Sequence, residues 1–442
     1  MPDSCHSLIV VVDGLRAGWL GPYGNTWFDT PVANQLAADG VTFEECHSPG
    51  PSLLDNYLGW WRGEIRGLAA RSSSQRPAPS LPALLRSAGQ ASLLVTDEPE
   101  VSELPDADDF RDVLLQARHD SNRTASELAA TGIAQLVAGA LDAMTTAASE
   151  PNGSCSWLHL RGLMGAWDAP GEIREELAVG EDCDTPSFVT PPMQAGECDP
   201  DVRFTWLLGA AAQVRVLDEC LPLLLDWAER RQALFVLTSP RGYPLGEHGA
   251  AGPEEAPLHD ELLHTPLIVR HPHGDQACFR VSRIAQNDTL YQLLARWHRV
   301  APRESAKWLD EPPLAAPSSQ LAVSLGKGQV AFRTAAWFAR LEGDTTDLYS
   351  KPADRFEVNE VADRCSDEVR AIRELASELG LAEIVRDVEE APTEASDGIA
   401  DVDSAEPAVE TEPTATANAH DSQDAHDIGT IQLPKLLWRV AR

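Results

Sequence analysis

Residues 8–25 read LIVVVDGLRAGWLGPYGN, and this stretch decides the fold. The run from Ser7 to Val12 contains five consecutive apolar residues, which is typical of a strand that is buried on both faces. The strand ends at Asp13, and a helix that opens with proline is predicted for residues 31–39. A buried strand followed by a helix predicts the first βα unit of a parallel sheet.

The same alternation of short apolar runs and helical patterns continues along the chain. Further strands are predicted at residues 41–45, 91–96, 156–160, 233–238 and 267–270, and helices at 81–87, 122–148 and 203–231. Residues 165–201 are rich in Pro, Gly, Asp and Glu and predict a long surface loop, of the kind that often shapes an active-site rim. The predicted fold class is therefore α/β, with a mostly parallel central sheet flanked by helices, over residues 1–310.

The sequence pattern changes beyond residue 310. Residues 329–333 and 336–340 are predicted to pair as antiparallel strands, and a helix is predicted at residues 366–381. These elements predict a small antiparallel C-terminal subdomain over residues 311–385.

The remaining residues have two different compositions. No Lys or Arg occurs between Asp387 and Asp427, so residues 386–430 are predicted to be an acidic disordered tail. Residues 431–442 are apolar and basic. They are expected to dock either onto an unknown protein partner or back onto the acidic body of the chain, or else to form a frayed chain end.

Bulk properties limit the partners and the compartment. The net charge of −34 over 442 residues argues against nucleic acid or an anionic membrane as a partner, because either would repel the chain. The apolar run at residues 8–12 has no basic region before it and is too short for a signal peptide or a membrane span. The eight cysteines lack CxxC spacing, which favours reduced thiols. A cytoplasmic protein is expected.

Further segments extend the pattern of the N-terminal stretch. They are TWLLGAAAQVRVLDECLPLLLD (205–226), FVLTSPRGYPLGEHG (235–249), HDELLHTPLIVRHP (259–272) and VAFRTAAWFARLEGDTTDLYSKPADRFEVNEVAD (330–363). In this order they resemble the sulfatase family of the alkaline phosphatase superfamily, over roughly residues 5–385. The resemblance implies a sulfatase-like α/β fold and, by descent, hydrolysis of sulfuric or phosphoric esters.

The metal ligands of that family are largely missing here. The family's chemistry uses a divalent cation held by oxygen ligands, which stabilises charge on the transferred group. Asp13 matches the first acid of one ligand pair, but Gly14 replaces the second, and Pro240 and Arg241 replace the Asp-His pair. Asp13 alone cannot hold Ca²⁺, which takes about six to eight oxygens, so no cofactor is expected.

The nucleophile of the family is also missing. The resemblance places the oxidised Cys of the family's C-x-P-S-R segment at Leu53, with Asp55, Asn56 and Tyr57 where Pro, Ser and Arg are expected. Ser52 is a substitute nucleophile only if the alignment slips by one residue. A serine without a neighbouring base or metal is a poor nucleophile.

The first of two functional readings is a catalytically inactive pseudoenzyme. The family's GEHG segment is retained, whereas its lysine corresponds to Pro253. In this reading the fixed charge of Arg241 replaces the lost cation. A residual anion-binding pocket for a sulfated or phosphorylated small molecule or glycan is then formed by Arg241, His248, Asp55 and Asn56.

The alternative reading is an active sulfate- or phosphate-ester hydrolase with a non-standard site. That site would consist of Asp13, Ser52, Asp55, Glu247 and His248, with a recruited calcium or magnesium ion. An ion pair between Arg241 and Asp13 would favour the first reading, and a cation beside Asp13 would favour the second.

Overall fold

The computed structural model describes residues 5–69, 79–147, 152–181, 183–254, 256–300 and 320–386. The predicted acidic tail from residue 387 onward, the segment 431–442 and the subdomain boundary near residue 310 lie outside these residues.

The strands in chain order are β1 (Cys5–Val12), β2 (Val41–Cys46), β3 (Ala91–Thr96), β4 (Asp112–Leu115), β5 (Gly153–Leu160), β6 (Gln194–Ala195), β7 (Ala233–Thr238), β8 (Ala250–Ala251), β9 (Leu267–Arg270), β10 (Phe279–Ala285), β11 (Leu321–Gly326), β12 (Gln329–Thr334), β13 (Trp337–Glu342) and β14 (Thr345–Ser350). The helices are α1 (Pro31–Ala38), α2 (Leu53–Arg62), α3 (Arg66–Ala69), α4 (Leu81–Ser87), α5 (Pro99–Ser102), α6 (Gly132–Ala147), α7 (Gly171–Ala178), α8 (Pro200–Arg230), α9 (Asp260–Leu263), α10 (Asn287–Trp297), α11 (Ser366–Glu378) and α12 (Ala382–Arg386).

The large sheet has eight strands in the order β10-β2-β9-β7-β1-β5-β3-β4. Neighbouring strands are parallel except at β9, which runs antiparallel to both β2 and β7. Within β1, Leu8, Val10 and Val12 pack into one core, and Ile9 and Val11 pack into the core on the opposite face. The continuous apolar run of β1 thus serves both faces, as expected for a central parallel strand.

Helices cover both faces of this sheet. The first core includes Leu36 of α1, Val137 of α6 and Leu217 of α8. The second includes Leu85 of α4 and Leu294 of α10. The predicted α/β class with a mostly parallel sheet is confirmed. In the described part of the chain, no helix has the length and apolar content needed to cross a bilayer.

A separate antiparallel sheet with the order β11-β12-β13-β14 confirms the predicted C-terminal subdomain. It packs on α11 and α12 through a core that includes Ile372 and Val385. The side chain of Gln286 exchanges two hydrogen bonds of 3.0 Å with the backbone of Val323. The N–H of Leu325 donates to Pro49 O at 2.8 Å. These bonds fix β11 against the start of α10 and against the segment that leads into α2.

The helix predicted at residues 122–148 is shorter in the structure, where α6 begins at Gly132. The Oγ1 of Thr131 accepts from the N–H of Ala134, and the N–H of Gly132 donates to Asp168 Oδ2 at 2.8 Å. The start of the helix is therefore set by the Thr131 cap and by the Asp168 carboxylate, which is distant in sequence. Local helix propensity does not set it.

The predicted loop at 165–201 contains a helix, α7, that the composition did not indicate. Arg174 of α7 is buried and donates to the carbonyl oxygens of Ala169 (3.0 Å), Pro186 (2.7 Å) and Phe188 (3.0 Å). One buried arginine thus organises the loop from inside, because each unpaired buried carbonyl would otherwise cost free energy.

Strand β4 forms one edge of the large sheet. It pairs with β3 alone among the described strands. Its apolar residues Val113, Leu114 and Leu115 are 42%, 38% and 48% exposed. The sheet therefore ends in an open apolar strand.

Candidate functional site

The carboxyl end of β1 carries the acidic residue that the sequence singled out. Asp13 is buried, and its N–H donates to Leu160 O at 2.9 Å while its carbonyl oxygen accepts from the N–H of Leu163 at 2.9 Å. Gly14 adopts a φ of +82°, and a Cβ there would lie 2.9 Å from the Cβ of Leu163. Backbone conformation and packing thus both disfavour a second carboxylate at residue 14.

Arg241 pairs with Asp13 through one edge of its guanidinium group. Its Nε donates to Asp13 Oδ1 at 2.9 Å and its Nη2 to Asp13 Oδ2 at 3.0 Å. Its Nη1 donates to Pro51 O at 2.7 Å. The side chains of Asp13 and Arg241 are only 2% and 12% exposed. This bidentate ion pair is the arrangement that favours the first reading.

The electrostatics keep the guanidinium charged. Burial lowers the pKa of Arg241, but the neighbouring Asp13 carboxylate outweighs burial, so the pKa is raised overall. Both carboxylate oxygens of Asp13 face this permanent charge. The residues therefore do not fit the divalent cation that the family resemblance implies, because the guanidinium occupies the side of Asp13 that a cation would need.

Ser52 and Asp55 lie at the start of α2. Ser52 is the N-cap residue, and its Oγ accepts from the N–H of Asp55 at 3.3 Å. In the described ranges no side-chain base hydrogen bonds to Ser52. The buried Asp55 carboxylate has Arg66 Nη1 at 3.4 Å. The serine hydroxyl thus has a capping role and no general base beside it.

Asn56 is fully buried and its amide is used for structure. Its Nδ2 donates to Gly50 O at 2.8 Å and to Ser52 O at 2.9 Å, and its Oδ1 accepts from Asn287 Nδ2 at 2.7 Å. The Asn56 amide therefore holds the turn before α2 in place, through hydrogen bonds to the backbone and to Asn287 of α10.

A cleft of about 820 Å³ lies where these elements meet. One wall is the start of α2, with Ser52 and Asp55. A second wall comes from the segments after β7, with Arg241, and a third from residues 325–328 at the tip of the β11–β12 hairpin. The structure thus brings Ser52, Asp55 and Arg241 into one cleft, with Asp13 beneath Arg241.

His248 is placed in a different cluster. Its Nδ1 lies 2.6 Å from Glu261 Oε1, and its Nε2 lies 3.2 Å from Glu357 O. Burial lowers the pKa of His248, but the hydrogen bond and charge of Glu261 raise it overall. Glu247 is bound to Arg16 at 2.6 Å. The retained GEHG segment thus makes ion pairs of its own, and His248 is not among the described residues that line the cleft.

Three side chains of that second cluster lie close enough to suggest a metal site. Donor atoms of His248, His259 and Glu357 lie within 4.8 Å of one another. The two imidazole rings are parallel to within 3° and 3.7 Å apart, so their in-plane lone pairs run side by side and cannot converge on one ion. The ammonium of Lys351 also lies 2.9 Å from Glu357. The geometry fits a stacked hydrogen-bonded cluster better than a metal centre.

The sequence reasoning missed the residues that the C-terminal subdomain brings to the cleft. Gly326, Lys327 and Gly328 line it, as does Arg66 of α3. The Gly-Lys-Gly sequence is a turn signal between two predicted strands. Only the packing of the two sheets reveals that this turn faces α2.

His159, His259 and His298 are buried, His264 is partly buried, and all four are neutral at pH 7. Burial is the main reason that the pKa values of His159 and His264 are lowered to about 4 and that of His298 to about 3. Burial and the neighbouring His248 lower the pKa of His259 to about 2. In the unfolded chain each histidine takes up a proton below about pH 6.5. The native state is therefore most stable above that pH, and loses stability as the pH falls towards the folded pKa values.

The fold matches solved structures of sulfatases and related hydrolases. A 2-O GAG sulfatase has a TM-score of 0.63 and 15% identity, covering 89% of this chain and 95% of its own. The phosphonate monoester hydrolase of Agrobacterium radiobacter has a TM-score of 0.60 and 14% identity, covering 86% of this chain and 95% of its own. A protein solved with its substrate D-glucosamine-2-N,6-O-disulfate has a TM-score of 0.62 and 13% identity, covering 88% and 100%.

No family model and no curated protein sequence matches the chain. The likeness is therefore carried by the three-dimensional structure, over more than four-fifths of the chain. The eight-stranded sheet, its helices and the antiparallel C-terminal sheet together form the unit that is matched. The chain has the fold of the sulfatases and of a phosphonate monoester hydrolase.

Proposed function

We propose that this protein is a catalytically inactive sulfatase-like protein, whose cleft binds an anionic group of a sulfated or phosphorylated small molecule or glycan without cleaving it. The bidentate ion pair between Arg241 and Asp13 carries the proposal. The pair places a permanent positive charge beside Asp13, which is the one acid of the family's cation ligands that this sequence retains. A guanidinium has no open coordination position, so it cannot activate a nucleophile as a metal ion does.

In the described part of the chain no activated nucleophile lies at the start of α2, and this supports the same proposal. Leu53 stands at the nucleophile position, and Ser52 caps α2 with no base beside it. Cys46, the nearest cysteine that precedes α2 in sequence, ends β2, and burial raises its pKa to about 12. A buried neutral thiol is a poor nucleophile and a poor target for modification. Losing one preorganised catalytic group typically costs about 10² to 10³ in rate, so losing several leaves little catalysis.

Binding is supported by what the cleft retains. Arg241, Arg66 and Lys327 line it together with the capped start of α2. Among the structural neighbours, one protein was solved with D-glucosamine-2-N,6-O-disulfate and another with k-i-k-neocarrahexaose. A sulfated or phosphorylated sugar is thus the ligand class that we propose.

The alternative, an active hydrolase with a non-standard site, makes a different prediction for the same assay. Release of nitrophenol from nitrophenyl sulfate and bis(nitrophenyl) phosphate is measured, with a formylglycine-generating enzyme present during expression. We expect the wild type to remain at the uncatalysed background, together with Ser52→Ala and Arg241→Ala. Turnover well above background that disappears in Ser52→Ala would establish the alternative.

A further inference from the structure

The tip of the β11–β12 hairpin is a fixed part of the cleft wall. Gly326 pairs with Gln329, so Lys327 and Gly328 form a two-residue turn. Their φ values are +48° and +72°, as in a type I′ turn. Asn or Gly is favoured at the first of these positions, and lysine is uncommon in the left-handed region. The turn itself therefore does not explain the lysine.

The hairpin is held tightly against the residues that precede α2. A Cβ at Gly50, whose φ is +144°, would lie 2.1 Å from Leu325 O. The Oγ of Ser324 donates to Ser48 O at 2.6 Å. An ideal Cβ at Gly326 would lie 3.0 Å from Pro51 Cδ. With so little free space, the position of the turn relative to the start of α2 is well defined.

Among the described cationic side chains that line the cleft, Lys327 differs from the two arginines because no carboxylate pairs with it. The charge of Arg241 is neutralised by Asp13, and Arg66 lies 3.4 Å from Asp55. Lys327 is exposed, and the described residues provide no ion pair for it. Its ammonium is therefore the cation that remains available to a ligand.

Pro253 lines the same cleft and stands where the family resemblance expects a lysine. A proline side chain offers neither charge nor hydrogen bond. A cation reaches this cleft nevertheless, from the second sheet instead of from the loop after β7.

An acidic residue that also lines the cleft limits the class of ligand that the cleft can bind. Glu254, beside Pro253, is exposed and lines the cleft. A carboxylate repels a bare oxyanion but accepts hydrogen bonds from hydroxyl groups. A cleft lined by both a lysine and a carboxylate suits a ligand that has both an anionic ester and free hydroxyls.

We infer that Lys327, assisted by Arg66, is the residue that determines specificity for the anionic ester group of a sugar sulfate or sugar phosphate. This inference rests on the proposed function and names the ligand contacts of the same cleft. The ammonium binds the ester oxygens as a point charge, so a phosphate monoester, which carries more charge at neutral pH, binds more tightly than a sulfate ester.

The test is calorimetric titration of the full-length protein with glucose 6-sulfate, glucose 6-phosphate, inorganic sulfate and inorganic phosphate. Lys327→Asn removes the charge while keeping a residue that tolerates the left-handed turn. We expect both sugar esters to bind, each more tightly than its inorganic anion. We expect Lys327→Asn to weaken the sugar esters about tenfold, which equals about 1.4 kcal/mol. Lys327→Arg should recover most of the affinity.

A further pair of variants tests the role of Arg66, with Arg66→Gln as the test and Arg370→Gln as its matched control. The side chains of Arg66 and Arg370 are each 66% exposed and each lies near one aspartate, but Arg370 is on α11 and does not line the cleft. Arg66→Gln should weaken binding and Arg370→Gln should not. If the wild type binds the sugar esters and Lys327→Asn binds them equally well, the assignment of Lys327 is overturned while the binding function stands. If the wild type binds none of the four probes, the proposed function itself fails, and the assignment with it.

Discussion

Replacing Arg241 should destabilise the protein strongly, because the substitution leaves the Asp13 carboxylate buried without its countercharge. Arg241→Met keeps most of the side-chain volume but removes three hydrogen bonds, two to Asp13 and one to Pro51. It leaves a carboxylate whose side chain is 2% exposed without its countercharge. Stranding a buried charge in this way costs about 3–5 kcal/mol, a large part of the roughly 5–15 kcal/mol that stabilises a typical domain.

Asp13→Asn provides the second edge of a double-mutant cycle. In that background no buried anion is stranded, so Arg241→Met should cost much less. The coupling free energy between the two positions should reach at least about 1.5 kcal/mol, within the range of contacting buried pairs. The free energy of unfolding is measured by urea denaturation at neutral pH, with the fluorescence of the twelve tryptophans as the signal. A coupling energy below about 0.5 kcal/mol would refute the reasoning, because Asp13 would then be free to serve another cation.

Three further predictions follow from the same structure. Millimolar calcium or magnesium should leave the melting temperature unchanged, because the guanidinium of Arg241 occupies the side of Asp13 that a cation would need. A rise in melting temperature that disappears in Asp13→Ala would contradict this. The free energy of unfolding should fall steeply from pH 6.5 to pH 5. The folded pKa values of His159 and His264 are about 4, so each residue's contribution to the free energy of unfolding is lower by about 2 kcal/mol at pH 5. A pH-independent urea midpoint over this range would argue against neutral buried histidines. Gly50→Ala should cost more than about 2 kcal/mol through backbone strain and the clash with the carbonyl oxygen of β11. Gly171→Ala is the control, since nothing lies within 4 Å of its Cβ and its φ is not positive, and a Gly50→Ala variant as stable as this control would be inconsistent with the packing of the hairpin.

The order of the main strands and helices could be predicted from the sequence because each of them bears a local signal. The apolar run of β1 is continuous, and its residues divide between two cores. The strands at residues 329–333 and 336–340 alternate and pair as expected. The start of α6 could not be predicted in this way, because Asp168, distant in sequence, binds its first N–H.

The candidate site was predictable only in part. The loss of the cation ligands could be anticipated from the sequence. The pairing of Arg241 with Asp13 could also be anticipated, because both residues follow strands that end at the same edge of the sheet. The cluster of His248 with His259 and Glu357 could not be anticipated, because its members come from separate segments joined by packing. The same is true of Lys327, which reaches the cleft through contacts between two sheets.

The open edge at β4 has a consequence for how the protein behaves in concentrated solution. Among the described strands, β4 has no partner on its outer edge, and such an edge with three adjacent apolar side chains is a template onto which an extended segment of another molecule can add. The net charge of −34 opposes such encounters, because two copies repel each other before their edges meet. Salt shortens the reach of this repulsion to about 10 Å at 0.1 M, and acid weakens it by protonating carboxylates. Colloidal stability is thus provided by long-range repulsion and not by the shape of the edge, so the protein stays dispersed best in dilute salt at neutral or mildly alkaline pH.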